Sequence, residues 1–135
     1  MAAGRSRTHE IRGRKLINTT NVIAETSTYW WMLPLQRFRV EDTSMRPGVE
    51  PGDRLLVGRW LRPRRGALVV VRDPEYPSTF LLKRVASVAP NGDVVVRGDN
   101  PNVSRDSRHF GPVARRLVIG RAFYRYLPAT RRGSL

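Results

Sequence analysis

The sequence contains no cysteine, which excludes disulfide bonds, thiolate zinc sites and thiol nucleophiles, and gives no support to an oxidising compartment. Long apolar runs are also missing. The longest candidate, residues 29–35, is interrupted by Pro34 and is far shorter than the about 20 apolar residues that a transmembrane helix needs. We therefore expect a cytoplasmic chain with no membrane span. Peripheral contact with a membrane through Trp30 and Trp31 is left open.

Lysine is scarce although the chain is strongly basic. Its 25 basic and 11 acidic residues give a net charge of +14, yet only Lys15 and Lys83 are lysines. The charge is spread along the chain and specifies no groove or base contact, so we expect no nucleic-acid partner. A buried lysine amine can lose its proton, whereas a guanidinium cannot in practice. Lys83 follows the apolar residues 80–82 and is therefore the one basic residue with a reason not to be arginine.

The turn pattern predicts a mainly β domain with a barrel-like or sandwich architecture. Short apolar or alternating segments are separated by turn residues from residue 37 onward. The predicted strands cover residues 37–40, 54–57, 67–71, 80–88, 94–96 and 118–126. We divide the chain into three parts. They are a basic flexible tail (1–28) with a short helix at about residues 15–25, the domain (29–128) and a basic C-terminal tail (129–135).

Ser44 is a candidate nucleophile in a turn-rich segment that follows the first predicted strand. A serine hydroxyl needs an adjacent base to react. Of the two histidines, His9 lies in the basic tail and His109 has no obvious partner for a catalytic triad other than the aspartates of its own loop. Lys83 is the stronger candidate, because burial on a strand disfavours an ammonium ion and can lower its pKa by several units.

Residues 98–108 are dense in side chains that form hydrogen bonds. A loop of this kind is usually a turn capped by its own side chains. A neutral lysine amine, however, needs a hydroxyl to orient it, and Ser104 could supply one. Asp106 and Arg108 are two residues apart, so in an extended segment they share a face and could form an ion pair.

These segments together resemble the signal peptidase I family of Ser/Lys proteases. Residues 40–47, Val-Glu-Asp-Thr-Ser-Met-Arg-Pro, are similar to its nucleophile box, in which Ser-Met is followed by x-Pro. Residues 65–71 and 82–85 resemble the box that carries the base. Residues 98–113 resemble the last box in order and spacing. The resemblance extends over about residues 38–128.

The resemblance implies the mainly β signal-peptidase fold, also seen in related repressor proteases, and a serine endopeptidase without cofactor or metal. Ser44 would attack the scissile carbonyl, and Lys83 would accept its proton and later deliver it to the leaving amine. The other implied roles are the Ser44 backbone N–H as oxyanion donor, Ser104 holding the Lys83 amine, Arg84–Asp99 and Asp106–Arg108 as scaffold pairs, and Met45 as a wall of the pocket.

Asp42 departs from the pattern, since the family usually carries glycine or serine two residues before the nucleophile. A carboxylate close to the oxyanion would oppose its negative charge. Only a carboxylate that points away, or that pairs with a cation such as Arg46, would avoid this conflict, so whether Asp42 impairs the oxyanion hole stays open.

The compact domain most resembles the soluble maturation proteases of nickel-type superoxide dismutase, which remove a short N-terminal leader. We therefore expect a precursor polypeptide as partner and substrate. The small mitochondrial inner-membrane peptidases are also similar. Three alternatives stay open: signal-peptidase-like processing of exported or membrane proteins, a weakly active binding module that touches lipid or nucleic acid, and self-cleavage.

Overall fold

A computed structural model describes the backbone of residues 10–11 and 14–15, and residues 22–25 and 34–135 in full. Its strands are β1 (Glu10–Ile11), β2 (Arg14–Lys15), β3 (Val22–Ala24), β4 (Leu35–Val40), β5 (Arg54–Gly58), β6 (Leu68–Arg72), β7 (Phe80–Val88), β8 (Val94–Arg97), β9 (Val118–Leu127) and β10 (Gly133–Ser134). One short helix, α1 (Ser107–Phe110), and three 3-10 turns complete the described elements. The mainly β class predicted from the sequence is confirmed.

The strands of the described domain form one antiparallel sheet in the order β3-β4-β5-β9-β6-β7-β8, with β10 also paired to β9. β1 and β2 form a separate hairpin. The long strand β9 lies between β5 and β6 and pairs with both of them, so it joins the two halves of the sheet. The sheet thus brings together segments that lie far apart in the sequence.

Side-chain periodicity explains which strands are half-buried and which are buried on both faces. In β4, Gln36, Phe38 and Val40 are buried while the residues between them are more exposed, as an alternating strand requires. In β6, residues 68–71 are all buried, because apolar side chains cover both faces. This is why residues 67–71 read as a continuous apolar run rather than an alternating one.

Two apolar clusters lie on opposite faces of the β6–β7 pair. Leu68 and Val70 belong to one cluster, and Val69 belongs to the other. The same alternation in β7 places Leu82 in the first cluster. Lys83 is the next residue, paired with Val69, so it points away from the first cluster and is still buried. The strand pattern therefore puts an amine inside the domain.

Two described segments within the predicted tails form strands of the sheet. Val22–Ala24 is a strand paired with β4, so the helix predicted over residues 15–25 is wrong at these residues. Backbone pairing across the edge of the sheet prevails there over any local helical preference. In the predicted basic C-terminal tail, β10 pairs with β9 and Arg131 forms an ion pair with Asp53. Trp30 and Trp31 lie outside the described residues, and the boundary at residues 28 and 29 stays a prediction.

A buried carboxylate anchors residues 41–53, the segment that carries Ser44 from β4 to β5. Asp53 is almost fully buried and accepts a hydrogen bond from the Glu50 backbone N–H. It also forms ion pairs with Arg125 and Arg131. The segment is therefore fixed to β9 and to the C-terminal residues. Within the residues that the structure describes, no helix is long and apolar enough to cross a membrane.

Candidate active site

The structure brings Ser44 and Lys83 together from positions 39 residues apart. A hydrogen bond of 3.0 Å joins Lys83 Nζ to Ser44 Oγ, and a second of 3.2 Å joins Nζ to Ser104 Oγ. All three side chains are nearly excluded from solvent, with exposed fractions of 2% for Ser44, 1% for Lys83 and 5% for Ser104. A hydroxyl, an amine and a second hydroxyl therefore meet in a buried environment.

Burial lowers the pKa of Lys83 from 10.5 to about 8. Desolvation is the largest cause, because an ammonium ion loses its hydration inside the domain. The carboxylates of Asp42, Asp106 and Asp73 oppose this change by attracting the positive charge, while Arg105 adds to it. An amine with a pKa near 8 is neutral often enough to act as a general base close to neutral pH.

Ser104 is held by a chain of charge-assisted hydrogen bonds. Its hydroxyl lies 3.2 Å from Asp106 Oδ2, and Asp106 also accepts hydrogen bonds from Gly98 N–H and from the backbone and guanidinium of Arg108. Burial alone would raise the pKa of Asp106, but the bonds from Arg108 and Gly98 prevail and hold that pKa well below its usual range. Asp106 is therefore a carboxylate that fixes the hydroxyl beside the Lys83 amine.

Gly98 lets the loop approach Ser104 more closely than any other residue could. A Cβ at this position would lie 1.8 Å from Ser104 Oγ and 3.0 Å from the Ser44 carbonyl oxygen. The following residues tie the loop to the nucleophile segment, since Asn100 N–H donates to Ser44 O and the Asn100 side chain donates to Thr43 O. The sequence shows this glycine but not the atom that its missing side chain makes room for.

The predicted scaffold pairs are present in the structure, although their functional roles stay predictions. Arg84 binds Asp99 through two parallel hydrogen bonds of 2.9 and 2.7 Å, the bidentate geometry of a strong pair. Arg108 pairs with Asp106 at 2.7 Å. Met45, predicted as a wall of the pocket, is fully buried in an apolar cluster, and its sulfur accepts the Asp99 N–H.

The Asp42 carboxylate lies against the backbone of the candidate nucleophile. Its Oδ1 accepts a hydrogen bond of 3.0 Å from the backbone N–H of Ser44, the group expected to receive the oxyanion. The alternative pairing with Arg46 is not formed, because Arg46 binds Glu50 instead at 2.5 Å. These two residues are four apart in a turn, so the Arg46 guanidinium finds a nearer carboxylate.

One further ion pair near the site was not found from the sequence. Arg105, next to Ser104, forms two hydrogen bonds with the buried carboxylate of Asp73, and its guanidinium also lies over the Phe110 ring. Asp73 comes directly after the buried strand β6 and before Pro74, a position where aspartate commonly caps a turn. That signal indicates a turn, but it does not reveal a partner 32 residues away.

His109 serves the start of α1. Its Nδ1 accepts the Asp106 backbone N–H, while Asp106 accepts backbone N–H groups of the helix, so the two residues form a capping box. His109 is also exposed, whereas Ser44 and Lys83 are buried. The geometry therefore favours Lys83 over His109 as the base.

A buried serine hydroxyl hydrogen-bonded to a desolvated lysine amine, on an antiparallel sheet, defines the class of Ser/Lys hydrolases. Comparison with known families agrees with this class. The sequence matches the family described as "Signal peptidase, peptidase S26" over residues 13–91 and 86–127, which is most of the chain. The chain therefore belongs to the peptidase S26 family of signal peptidases, which are serine endopeptidases.

The chain matches curated mitochondrial relatives over about two thirds of their own length and a thylakoidal relative over less than a quarter. "Mitochondrial ATP-independent inner membrane protease subunit 1b" of Arabidopsis thaliana is 35% identical over 63% of this chain and 66% of the relative. "Mitochondrial inner membrane protease subunit 2" of Schizosaccharomyces pombe is 32% identical over 71% of this chain and 67% of the relative. "Thylakoidal processing peptidase 1, chloroplastic" of Arabidopsis thaliana is 34% identical over 55% of this chain and 23% of the relative.

Proposed function

We propose that this chain is an endopeptidase that removes N-terminal leaders from precursor proteins, with Ser44 as nucleophile and Lys83 as general base. The observation that carries the proposal is the 3.0 Å contact between Lys83 Nζ and Ser44 Oγ in a buried environment. Membership of the peptidase S26 family supports the reaction type. The names of the relatives, as proteases and a processing peptidase, support the substrate class.

In the proposed reaction, the neutral amine of Lys83 takes the proton of the Ser44 hydroxyl as Oγ attacks the scissile carbonyl carbon. The resulting ammonium then gives that proton to the departing amine, and the acyl group stays on Ser44 as an ester. A water molecule, deprotonated by the same amine, hydrolyses the ester and restores the hydroxyl. Ser104 keeps Nζ directed at Ser44 through its 3.2 Å contact.

The Ser44 N–H is the proposed donor to the oxyanion. Removing one such donor in other proteases costs about 3 kcal/mol of transition-state stabilisation. In this structure the N–H is hydrogen-bonded to Asp42, so a substrate carbonyl oxygen has to replace that carboxylate. Displacement of the Asp42 carboxylate from the Ser44 N–H is therefore a step of the proposed reaction.

The precursor of nickel-type superoxide dismutase stays our candidate substrate, on the compactness of the domain alone. The relatives carry the names of mitochondrial and thylakoidal proteases. A precursor with a mitochondrial or thylakoidal leader is therefore the second substrate to be tested. A cytoplasmic location also stays a prediction.

The test incubates the purified full chain with each of the two precursors and follows cleavage by intact mass. Ser44→Ala and Lys83→Ala should each lower the rate by at least about a thousandfold. Lys83→Arg should be equally inactive, because a guanidinium is not a base at accessible pH. The matched controls are Ser87→Ala, an exposed serine on β7, and Lys15→Ala, the other lysine.

Cleavage by Ser44→Ala or Lys83→Arg at the wild-type rate would refute the mechanism. The intact mass of the enzyme itself, followed over the same incubation, also tests self-cleavage, because a shortened wild-type chain beside an intact Ser44→Ala chain would reveal it. Cleavage of only one precursor would identify the substrate class.

A further inference from the structure

The carboxylate of Asp42 occupies the hydrogen-bond donor that catalysis needs. Its Oδ1 lies 3.0 Å from the Ser44 backbone nitrogen, within a turn, and the side chain is half-buried. A carboxylate accepts a backbone N–H strongly because the acceptor is charged. A neutral carbonyl oxygen of a substrate is a weaker competitor for the same N–H.

Asp42 and Asp93 are the two carboxylates described with their side chains that form no ion pair within 4 Å, although Asp42 attracts the Lys83 ammonium over a longer distance. Eight carboxylates of the described residues form ion pairs with arginine: Glu25, Glu41, Glu50, Asp53, Asp73, Glu75, Asp99 and Asp106. Asp42 forms none within 4 Å among these residues, in a chain with more than twice as many basic as acidic groups. The two nearest arginines in sequence, Arg39 and Arg46, are paired with Glu41 and Glu50.

The position of this carboxylate would hinder hydrolysis of an uncharged substrate. The tetrahedral intermediate places a negative oxygen close to the Ser44 N–H, and Asp42 would both occupy that donor and repel the charge. A positive group brought by the substrate would reverse the situation, because it would attract the carboxylate away from the N–H. The positive group of the substrate would also give the Asp42 carboxylate an ion-pair partner.

We propose that Asp42 is a specificity-determining residue that selects substrates with a lysine or arginine beside the scissile bond. The cationic side chain of the substrate binds the Asp42 carboxylate and draws it off the Ser44 N–H, which then receives the carbonyl oxygen. A substrate that is neutral at this place leaves the donor occupied and is cleaved slowly. The inference rests on the proposed endopeptidase activity and adds the chemistry of its substrate.

The experiment profiles cleavage sites in a mixed peptide pool. A proteome cut after glutamate keeps lysine and arginine inside the peptides, and new termini are identified by mass spectrometry after incubation with the full chain. Only cleavages that Ser44→Ala does not make are counted. We expect lysine or arginine within two residues of the wild-type cleavage sites to be enriched about tenfold, which corresponds to one ion pair of about 1.4 kcal/mol.

Two variants of Asp42 separate charge from space. Asp42→Asn keeps the size and a weaker acceptor for the Ser44 N–H, and should lose the enrichment. Asp42→Gly leaves the donor open and should lose the enrichment while cleaving neutral sites faster than the wild type. The matched control is Glu41→Gln, which removes one negative charge from the adjacent residue, where the carboxylate is bound to Arg39. It should keep the wild-type preference.

Wild-type cleavage without enrichment, or the same enrichment in Asp42→Asn, would overturn the role of Asp42 and leave the proposed peptidase function intact. Loss of the preference in Glu41→Gln would overturn it as well, because any nearby charge would then suffice. A complete absence of Ser44-dependent cleavage would instead overturn the proposed function, and the inference with it.

Discussion

At the scale of single residues, the chemistry depends on whether the Lys83 amine is neutral. Desolvation destabilises its ammonium form, and the surrounding carboxylates partly offset this effect by attracting the positive charge. The result is a pKa of about 8, between that of a solvated lysine and a value that would leave the amine always neutral. The hydroxyls of Ser44 and Ser104 then decide where its lone pair points.

We expect kcat/KM to rise about tenfold from pH 7 to pH 9, with a midpoint near 8, because only the neutral amine can accept the Ser44 proton. Peptide cleavage measured at constant ionic strength would give this profile. A rate that is flat or falling over this range would contradict a lysine base.

The same measurement on Asp42→Asn should show a midpoint at lower pH. Asp42 is the carboxylate that most strongly favours the ammonium form of Lys83, so its neutralisation lowers the pKa of the amine. An unchanged midpoint would mean that the two groups do not interact electrostatically.

A second residue-scale prediction concerns stability. Lys83→Met should abolish cleavage and raise the free energy of unfolding at pH 7 by about 2 kcal/mol, since burial of the ammonium is unfavourable and two hydrogen bonds only partly offset it. The pKa of Lys83 is lower in the folded chain than in the unfolded one, so the wild type gains stability as pH rises from 8 to 10.5. Urea unfolding at several pH values should therefore show the advantage of methionine shrinking over this window. A constant difference would refute the explanation.

At the scale of elements, two segments between strands carry the two serines that lie beside the Lys83 amine. Strand β7 positions the amine, the segment between β4 and β5 brings Ser44, and residues 98–106 bring Ser104. Backbone contacts such as Asn100 N–H to Ser44 O hold the two segments together at 2.9 Å. The site is therefore built by one strand and by two loops that are fixed against each other.

Gly98→Ala tests this arrangement. The added methyl group would overlap Ser104 Oγ, so Ser104 has to move and the Lys83 amine loses its second hydrogen-bond partner. We expect a fall of about tenfold or more in kcat, and a loss of about 1–3 kcal/mol in unfolding free energy. The matched control is Gly66→Ala, at a positive φ with open space around it, which should cost stability through backbone strain but keep the activity. Equal activity losses in both variants would show that the contact at Ser104 has no special role.

At the scale of the whole molecule, Asp53 connects parts that are distant in sequence. Its buried carboxylate binds the nucleophile segment through Glu50 N–H, strand β9 through Arg125, and the C-terminal residues through Arg131. We expect Asp53→Asn to lower the unfolding free energy by about 3 kcal/mol, because two partly buried guanidinium groups lose their charged partner. Chemical denaturation would measure it beside Glu41→Gln, an exposed pair worth less than about 1 kcal/mol. Similar losses in the two variants would contradict the connecting role of Asp53.

Much of the fold could be predicted from local patterns. The predicted strand at residues 80–88 coincides with β7, and the Asn91–Gly92 turn connects it to β8, with Gly92 at a positive φ of 92°. Periodicity and turn chemistry are local properties, so they can be read from the sequence. The helix expected at residues 15–25 failed at Val22–Ala24, because an edge strand is stabilised by pairing with β4 rather than by its own residues.

The sequence by itself determined that this chain would form strands and turns, that a thiol could not react, and that Lys83 was the candidate for a buried amine. Those conclusions follow from residue types and their spacing. Only the tertiary structure decided that Asp42 would bind the Ser44 N–H, that Arg46 would choose Glu50, and that Arg105 would reach Asp73. The reason is physical: hydrogen bonds and ion pairs depend on distances of about 3 Å between atoms, and only the folded sheet sets those distances.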